Sequence, residues 1–303
     1  MTSPSLSPET KLILDKRTKD LGFATEITGK NYAENWAVGL TDGEGCFHLS
    51  KNKNGNDFQR SAHFSIRLRA DDIGALSLVR DIMGCGKIKF SKPSIASSPG
   101  TNPSFTFSIC DQKELLERIV PFFDKYSLRT KKLRDYKVWK KGLEITNSIM
   151  SRPRIGRGRA AGYFPKWKES DQKEFDALVE DLKLGRKYYP PNWNLIKENI
   201  NSVSEIDKES FGHWLSGFTD GEGCFCIGHR IDDGSWVVTN LFQIGLRFDD
   251  VEILEKIKSY LNCGKIRYRK EQKIGNPSCT FSVINTKDLS DKVIPFFSSY
   301  KLR

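Results

Sequence analysis

The chain repeats itself, and no other feature constrains its fold as much. WAVGLTDGEGCF (Trp36 to Phe47) returns 178 residues later as WLSGFTDGEGCF (Trp214 to Phe225). At the same offset FSIRLRADD at Phe64 returns as FQIGLRFDD at Phe242, and CGKI at Cys85 returns at Cys263. Beyond them NPSFTFSI at Asn102 matches NPSCTFSV at Asn276, and VPFFDKYSLR at Val120 matches IPFFSSYKLR at Ile294. There the offset has fallen to 174, which one four-residue deletion in a surface loop explains. Register held over this length makes the chain a duplicated unit.

Both copies show the same order of elements. A short helix carries the WxxG[LF]TDGEG segment. Strands of period two follow, in which Phe47 and Leu49 alternate with His48 and Ser50. The strand FSIRLR sets Phe64, Ile66 and Leu68 on one face and Ser65, Arg67 and Arg69 on the other. DDIGALSLVRDIM and DDVEILEKIKSYL have helical spacing (Ile73, Leu76, Val79, Met83; Val251, Leu254, Ile257, Leu261), and their leading acids suit a helix N-terminus. GKIKF and FTFSI add two strands, and KELLERIVPFF adds a closing helix. The expected fold class is therefore α+β: two pseudo-symmetric αββαββα units whose helices cover one face of an antiparallel sheet.

The other sheet face is polar. In the first unit it would present His48, Ser50, Asn52, Ser65, Arg67, Arg69, Lys87 and Lys89. In the second it would present Arg230, Gln243, Arg247, Lys265, Arg267 and Arg269. Taken singly, each fits an ordinary solvated sheet face. As a set, cationic and amide side chains in both copies are what phosphate and major-groove contacts require.

Charge agrees with a polyanionic partner: 49 Lys and Arg stand against 38 Asp and Glu, a net +11. The excess is concentrated, since 13 Lys and Arg face only 3 Asp and Glu between Arg129 and Ser170. Within that stretch SRPRIGRGRAAG (Ser151 to Gly162) has no hydrophobic period and reads as a basic loop, able to track a phosphate backbone or to serve as a flexible linker. EFDALVEDLKL carries one apolar stripe (Phe175, Leu178, Val179, Leu182) and is expected to be a packed linker helix. The expected division is an N-terminal extension at 1–30, a first repeat at 31–140, a basic linker with a helix at 141–207, and a second repeat at 208–303.

The seven cysteines form no CxxC pair and no zinc spacing, so they read as reduced thiols. No apolar run approaches the roughly 20 residues of a bilayer crossing. The N-terminal stretch lacks a signal-peptide core, and its acidic residues suit a transit peptide poorly.

AVGLTDGEG (Ala37 to Gly45) and LSGFTDGEG (Leu215 to Gly223) resemble the nine-residue motif of the LAGLIDADG homing endonucleases. Two copies in one chain resemble the monomeric, double-motif members. The physical logic of the motif agrees: Gly39 and Gly43, like Gly217 and Gly221, lie four apart on one helix face, so two such helices can approach backbone to backbone. Each helix ends at a carboxylate, Glu44 or Glu222, and packing the helices would bring both acids to the interface. The resemblance implies two antiparallel sheets forming a DNA-binding saddle. Glu44 and Glu222 would bind catalytic Mg²⁺, with Ca²⁺ or Mn²⁺ as substitutes, helped by the carbonyls of Gly43 and Gly221. Asp42 and Asp220 would be structural, and Lys132, with Lys131 beside it, resembles the lysine that polarises the water network. Glu in place of the motif's Asp leaves the assignment unchanged. The sequence stops at Arg303, the position matching Arg129, so it holds no second counterpart of Lys132.

The implied activity is a metal-dependent double-strand break in a long, asymmetric DNA site, of the intron-homing type. The alternative is an intron maturase on the same fold, with intron RNA as partner. A monomer acting on double-stranded DNA, with no membrane, is expected. Location in a mitochondrion or chloroplast follows from the family's association with mobile organellar introns.

Overall fold

The computed structural model describes residues 32–54, 57–93, 102–152, 167–189, 191–192, 194, 207–233, 235–269 and 276–303. In the first half, helix α1 (Tyr32–Glu44) leads directly into strands β1 (Gly45–Asn54) and β2 (Asp57–Arg69). Helix α2 (Ile73–Met83), strands β3 (Lys87–Ser91) and β4 (Ser104–Ile109), and a helical segment ending in α3 (Val120–Lys125) complete the unit. Two further helices follow, α4 (Lys132–Met150) and α5 (Glu169–Gly185). The second half repeats the order as α6 (Lys208–Glu222), β5 (Gly223–Asp232), β6 (Ser235–Arg247), α7 (Val251–Leu261), β7 (Lys265–Arg269), β8 (Ser278–Val283) and α8 (Ile294–Ser299).

Each half holds one antiparallel four-stranded sheet, in the orders β1-β2-β4-β3 and β5-β6-β8-β7. Alternation decides which face is buried. Phe47, Leu49, Ala62, Phe64, Ile66 and Phe107 are buried under the helices, as are Phe242, Ile244 and Phe281 in the second half. Helix α2 ends at Gly84, whose φ of +66° closes the helix in the left-handed region, and Asn262 (φ 49°) does the same for α7.

The centre of the molecule is the pairing of α1 with α6. A Cβ on Gly39 would lie 1.9 Å from the carbonyl oxygen of Trp214, and one on Gly217 would lie 1.9 Å from that of Trp36. Only glycine lets the two backbones come so close, so the interface role expected of Gly39 and Gly217 has a steric basis in the structure.

The halves differ in what covers them. The expected linker helix, α5, buries Phe175, Val179 and Leu182, and Arg60 beneath it donates to Asp176 at 2.9 Å. Helix α4, which runs straight through position 140, buries Tyr136, Trp139 and Leu143. The corresponding face of the second sheet has no such cover among the described residues: Ile227 is 80% exposed and Trp236 68%. The N-terminal extension and most of the basic loop at 151–162 lie outside the described residues.

Candidate active site and nucleic-acid interface

The two motif helices end side by side. A Cβ on Gly43 would meet Cγ of Glu222 at 3.3 Å, and one on Gly221 would meet Cγ of Glu44 at 3.3 Å, so each acid packs over the other helix's last glycine. Both are partly buried. Burial raises the pKa of Glu222, and the neighbouring Glu44 raises it further; burial also raises that of Glu44, while Lys132 opposes the shift. Two carboxylates brought together out of bulk water repel each other, which makes the pair a place where positive charge is stabilised.

Lys132, at the start of α4, supplies one such charge. Its ammonium donates to the carbonyl of Thr41 at 3.1 Å and to that of Gly43. Gly43 was expected to offer its carbonyl to a metal ion; in this structure that oxygen is a lysine acceptor. Burial lowers the pKa of Lys132, and the charges of Asp42, Glu222 and Glu44 oppose that effect. Lys131 points elsewhere, ion-paired with Asp249 at 3.3 Å and with Asp250. A cavity of about 590 Å³, lined by Asp42, Gly43, Lys131, Lys132, Glu222 and Arg247 among others, opens beside this cluster.

Asp42 and Asp220 sit two residues earlier and lock the helices together. Asp42 accepts from the indole nitrogen of Trp214 at 2.8 Å and from the backbone of Arg129 (2.8 Å) and Thr130 (3.2 Å). The Thr130 hydroxyl adds a bond of 2.6 Å. Asp220 accepts from the indole of Trp36 at 2.7 Å and from the backbone of Arg303 at 3.0 Å. Burial pushes the Asp220 carboxyl up to about 7. Sequence reasoning missed the two tryptophans. The available signal was their identical place in both repeats, six residues before the aspartate.

Strand register confirms that the expected polar residues share one face. Cys46, Ser65, Ser108 and Lys87 form one row across the first sheet, and Arg67, Thr106 and Lys89 the next. His48 pairs with His63 across the strands, their rings 4.5 Å apart, Ser50 bonds Ser61 at 2.7 Å, and Asn52 is exposed. Arg67 donates to Ser104 at 2.9 Å, and Arg69 pairs with Asp71 at 2.7 Å. In the second sheet Cys224, Gln243, Ser282 and Lys265 align, followed by Gly245, Thr280 and Arg267, then Arg247, Ser278 and Arg269. Lys265, Arg267 and Arg269 are exposed. Arg230 pairs with Val237 through its backbone, and its side chain lies outside the described residues.

Arg247 departs from its expected role as a base contact. It lies on the expected face, but its guanidinium is engaged by Asp249 at 2.5 Å and by the carbonyls of Arg186 (2.5 Å) and Lys187 (3.2 Å). The acid two residues downstream and the returning linker both claim it, and local alternation carries no information about either.

A sequence model of the LAGLIDADG endonuclease family matches residues 37–143 and 215–303. The probable intron-encoded DNA endonuclease 1 of Mycosarcoma maydis is 26% identical over 89% of this chain and 94% of its own length. The probable intron-encoded endonuclease Cox1-I1b of Schizosaccharomyces pombe is 25% identical, over 79% of this chain and 56% of its own. Among solved structures, I-SmaMI bound to an uncleaved DNA target in the presence of calcium ions superposes with a TM-score of 0.67, at 27% identity, covering 89% of this chain and 85% of that one.

Proposed function

The chain belongs to the LAGLIDADG endonuclease family, and from that premise we propose that it makes a divalent-metal-dependent double-strand break in a long, asymmetric DNA site, with Glu44 and Glu222 at its cleavage centre. One observation carries the reading. The two motif acids pack against each other's helix at the interface between two sheets whose exposed faces are rich in cationic side chains. The intron-encoded relatives and the DNA-bound structural neighbour support the same reading, and none of them favours the RNA-binding alternative.

The donor set suits a hard divalent ion. Carboxylates and backbone carbonyls are oxygen ligands of the kind Mg²⁺ and Ca²⁺ take, and the repulsion between the two acids is relieved by a cation. Among the described residues no cluster of three or more metal-binding side chains exists. Glu44 and Glu222 would therefore hold the ion with the Gly221 carbonyl and the second lone pair of the Gly43 carbonyl, whose first accepts from Lys132, the remaining ligands being oxygens of water or phosphate. When bound, the ion supplies a more acidic water and neutralises charge on the departing oxygen. Lys132, buried against the Gly43 carbonyl, is our choice over Lys131 for the residue that orients water and holds a proton at Nζ, because Lys131 is committed to Asp249 and Asp250. Lowering its pKa by burial eases proton exchange there.

On the sheet faces we assign DNA contacts to His48, Ser50, Asn52, Ser65, Arg67, Arg69, Lys87, Lys89, Arg230, Gln243, Lys265, Arg267 and Arg269. We assign Mg²⁺ as the working ion, a monomer as the active form, two repeat units joined by a basic linker as the domain plan, and a mitochondrion as the location. The name of the Schizosaccharomyces pombe relative supports the last of these. Selection of cleaved sites from a randomised duplex library with Mg²⁺ tests the activity and yields the target. Glu44→Gln and Glu222→Gln should each abolish double-strand cleavage while retaining DNA binding, since affinity comes from phosphate and groove contacts. Near-normal cleavage by either variant, or two chains per site in light scattering, would refute the assignment.

A further inference from the structure

The linker does not merely join the halves. Helix α5 ends at Gly185, and the turn that follows is fastened to both sheets. From the second sheet, Arg247 donates to the carbonyls of Arg186 and Lys187, and is itself held by Asp249 at 2.7 and 2.5 Å. On the first sheet, the Arg186 guanidinium reaches the open face, 3.8 Å from Sγ of Cys46 and 3.5 Å from the carbonyl oxygen of Phe47. Cys46 lies two residues beyond Glu44, a strand distance of about 7 Å. A cavity of about 180 Å³ is bounded by Cys46, Lys132, Asp135, Arg186 and Arg247, so Arg186 and Lys132 border the same space.

The cations around that space differ in how they are engaged. Lys131, Arg134 and Arg247 are ion-paired with Asp249 and Asp250, Asp181, and Asp249 respectively. Lys132 is held by carbonyls. Arg186 is exposed, and among the described residues no carboxylate lies within ion-pair distance of it; Asp135, on the same cavity, feels its charge from further off, and its two protein contacts are long. A guanidinium positioned by its own main chain, beside a carboxylate centre and with its donors unspent, is suited to bidentate binding of a phosphate.

We propose that Arg186 is a phosphate-binding residue of the cleavage centre, delivered by the linker and seated by Arg247, which holds the DNA backbone beside Glu44 on the first-repeat side alone. The inference rests on the endonuclease reading above. Because the chain has one linker and two repeats, the contact has no symmetric partner and acts on one strand. Arg247 is a positioning residue: its side chain is spent on the linker carbonyls and works through where it sets Arg186.

The test is single-turnover cleavage of the selected target, each strand end-labelled, by Arg186→Ala, Arg186→Lys and Arg247→Ala, with Glu44→Gln as reference and thermal unfolding of each variant recorded. Arg186→Ala should slow one strand by roughly ten-fold or more, the weight of one charge-assisted contact, so that nicked DNA accumulates at an unchanged melting temperature. Arg186→Lys should restore part of the rate, and Arg247→Ala should slow the same strand. Equal slowing of both strands, or wild-type rates for Arg186→Ala while Glu44→Gln is inactive, would overturn the role of Arg186. Cleavage by Glu44→Gln would instead overturn the reading of the site itself.

Discussion

Replacing Gly39 by alanine is the sharpest test of the helix pairing. The added methyl would start 1.9 Å from the Trp214 carbonyl oxygen and 2.7 Å from the backbone nitrogen of Phe218, where ordinary contact begins at 3.4 Å. Both obstacles are main chain, so no rotamer change relieves them, and α1 must part from α6 by about 1.5 Å. Overpacking of this kind costs about 1–3 kcal/mol. The same shift stretches the Trp36–Asp220 and Trp214–Asp42 bonds, now 2.7 and 2.8 Å, at about 1 kcal/mol each or more because the acids are buried. Alanine's better helix propensity returns about 1 kcal/mol, leaving a net loss of about 2–4 kcal/mol. Glu44 and Glu222 move apart with the helices, so cleavage should fall by more than stability does. Urea unfolding gives the first quantity and plasmid cleavage under conditions where the variant is folded gives the second. Gly228→Ala is the control, since its new methyl would meet only the Thr239 carbonyl oxygen, at 3.9 Å. Wild-type stability and cleavage in Gly39→Ala would refute the close-packed interface.

Asp220 makes stability depend on pH: its folded pKa of about 7 lies above the ordinary carboxylate value of 3.8, so the folded state binds the proton more tightly. Its stabilising effect is complete below about pH 4 and is lost as pH rises towards 7; Asp220→Asn, which keeps an acceptor for Trp36, should flatten that decline and gain on the order of 1–2 kcal/mol at pH 8 in thermal or urea unfolding. Neutralising the exposed Lys265 or Arg267 should lower the salt slope of DNA binding by about 1 for each phosphate left without its cation, whereas a base-reading role for Arg67 predicts that Arg67→Gln relaxes preference at particular positions in a site-selection assay. Replacing Ile227 or Trp236 by lysine removes apolar side chains that are 80% and 68% exposed. Stability in thermal unfolding should hold within about 0.5 kcal/mol, since neither side chain is packed in a core.

Sequence alone determined what depends on neighbours along the chain. Strand alternation separated Phe64 and Ile66 from Ser65 and Arg67, helical spacing marked the stripe of α5, and the duplication showed that whatever one motif helix does the other must answer. Steric logic within nine residues was enough to assign Gly39 and Gly217 to an interface, and the end of each motif helix to its acid. Tertiary structure decided everything that depends on partners distant in sequence. Trp36 bonds Asp220 and Trp214 bonds Asp42 across 184 and 172 residues. Lys132 turns to the carbonyls of Thr41 and Gly43 beside the motif acids while Lys131, its neighbour, is drawn to Asp249 and Asp250. Arg247 shares a face with the cationic residues and yet holds the linker. A side chain's face follows from backbone period, which is local. Which of several nearby charges it pairs with depends on small differences in distance and desolvation, and these exist only once the two halves and the linker have met.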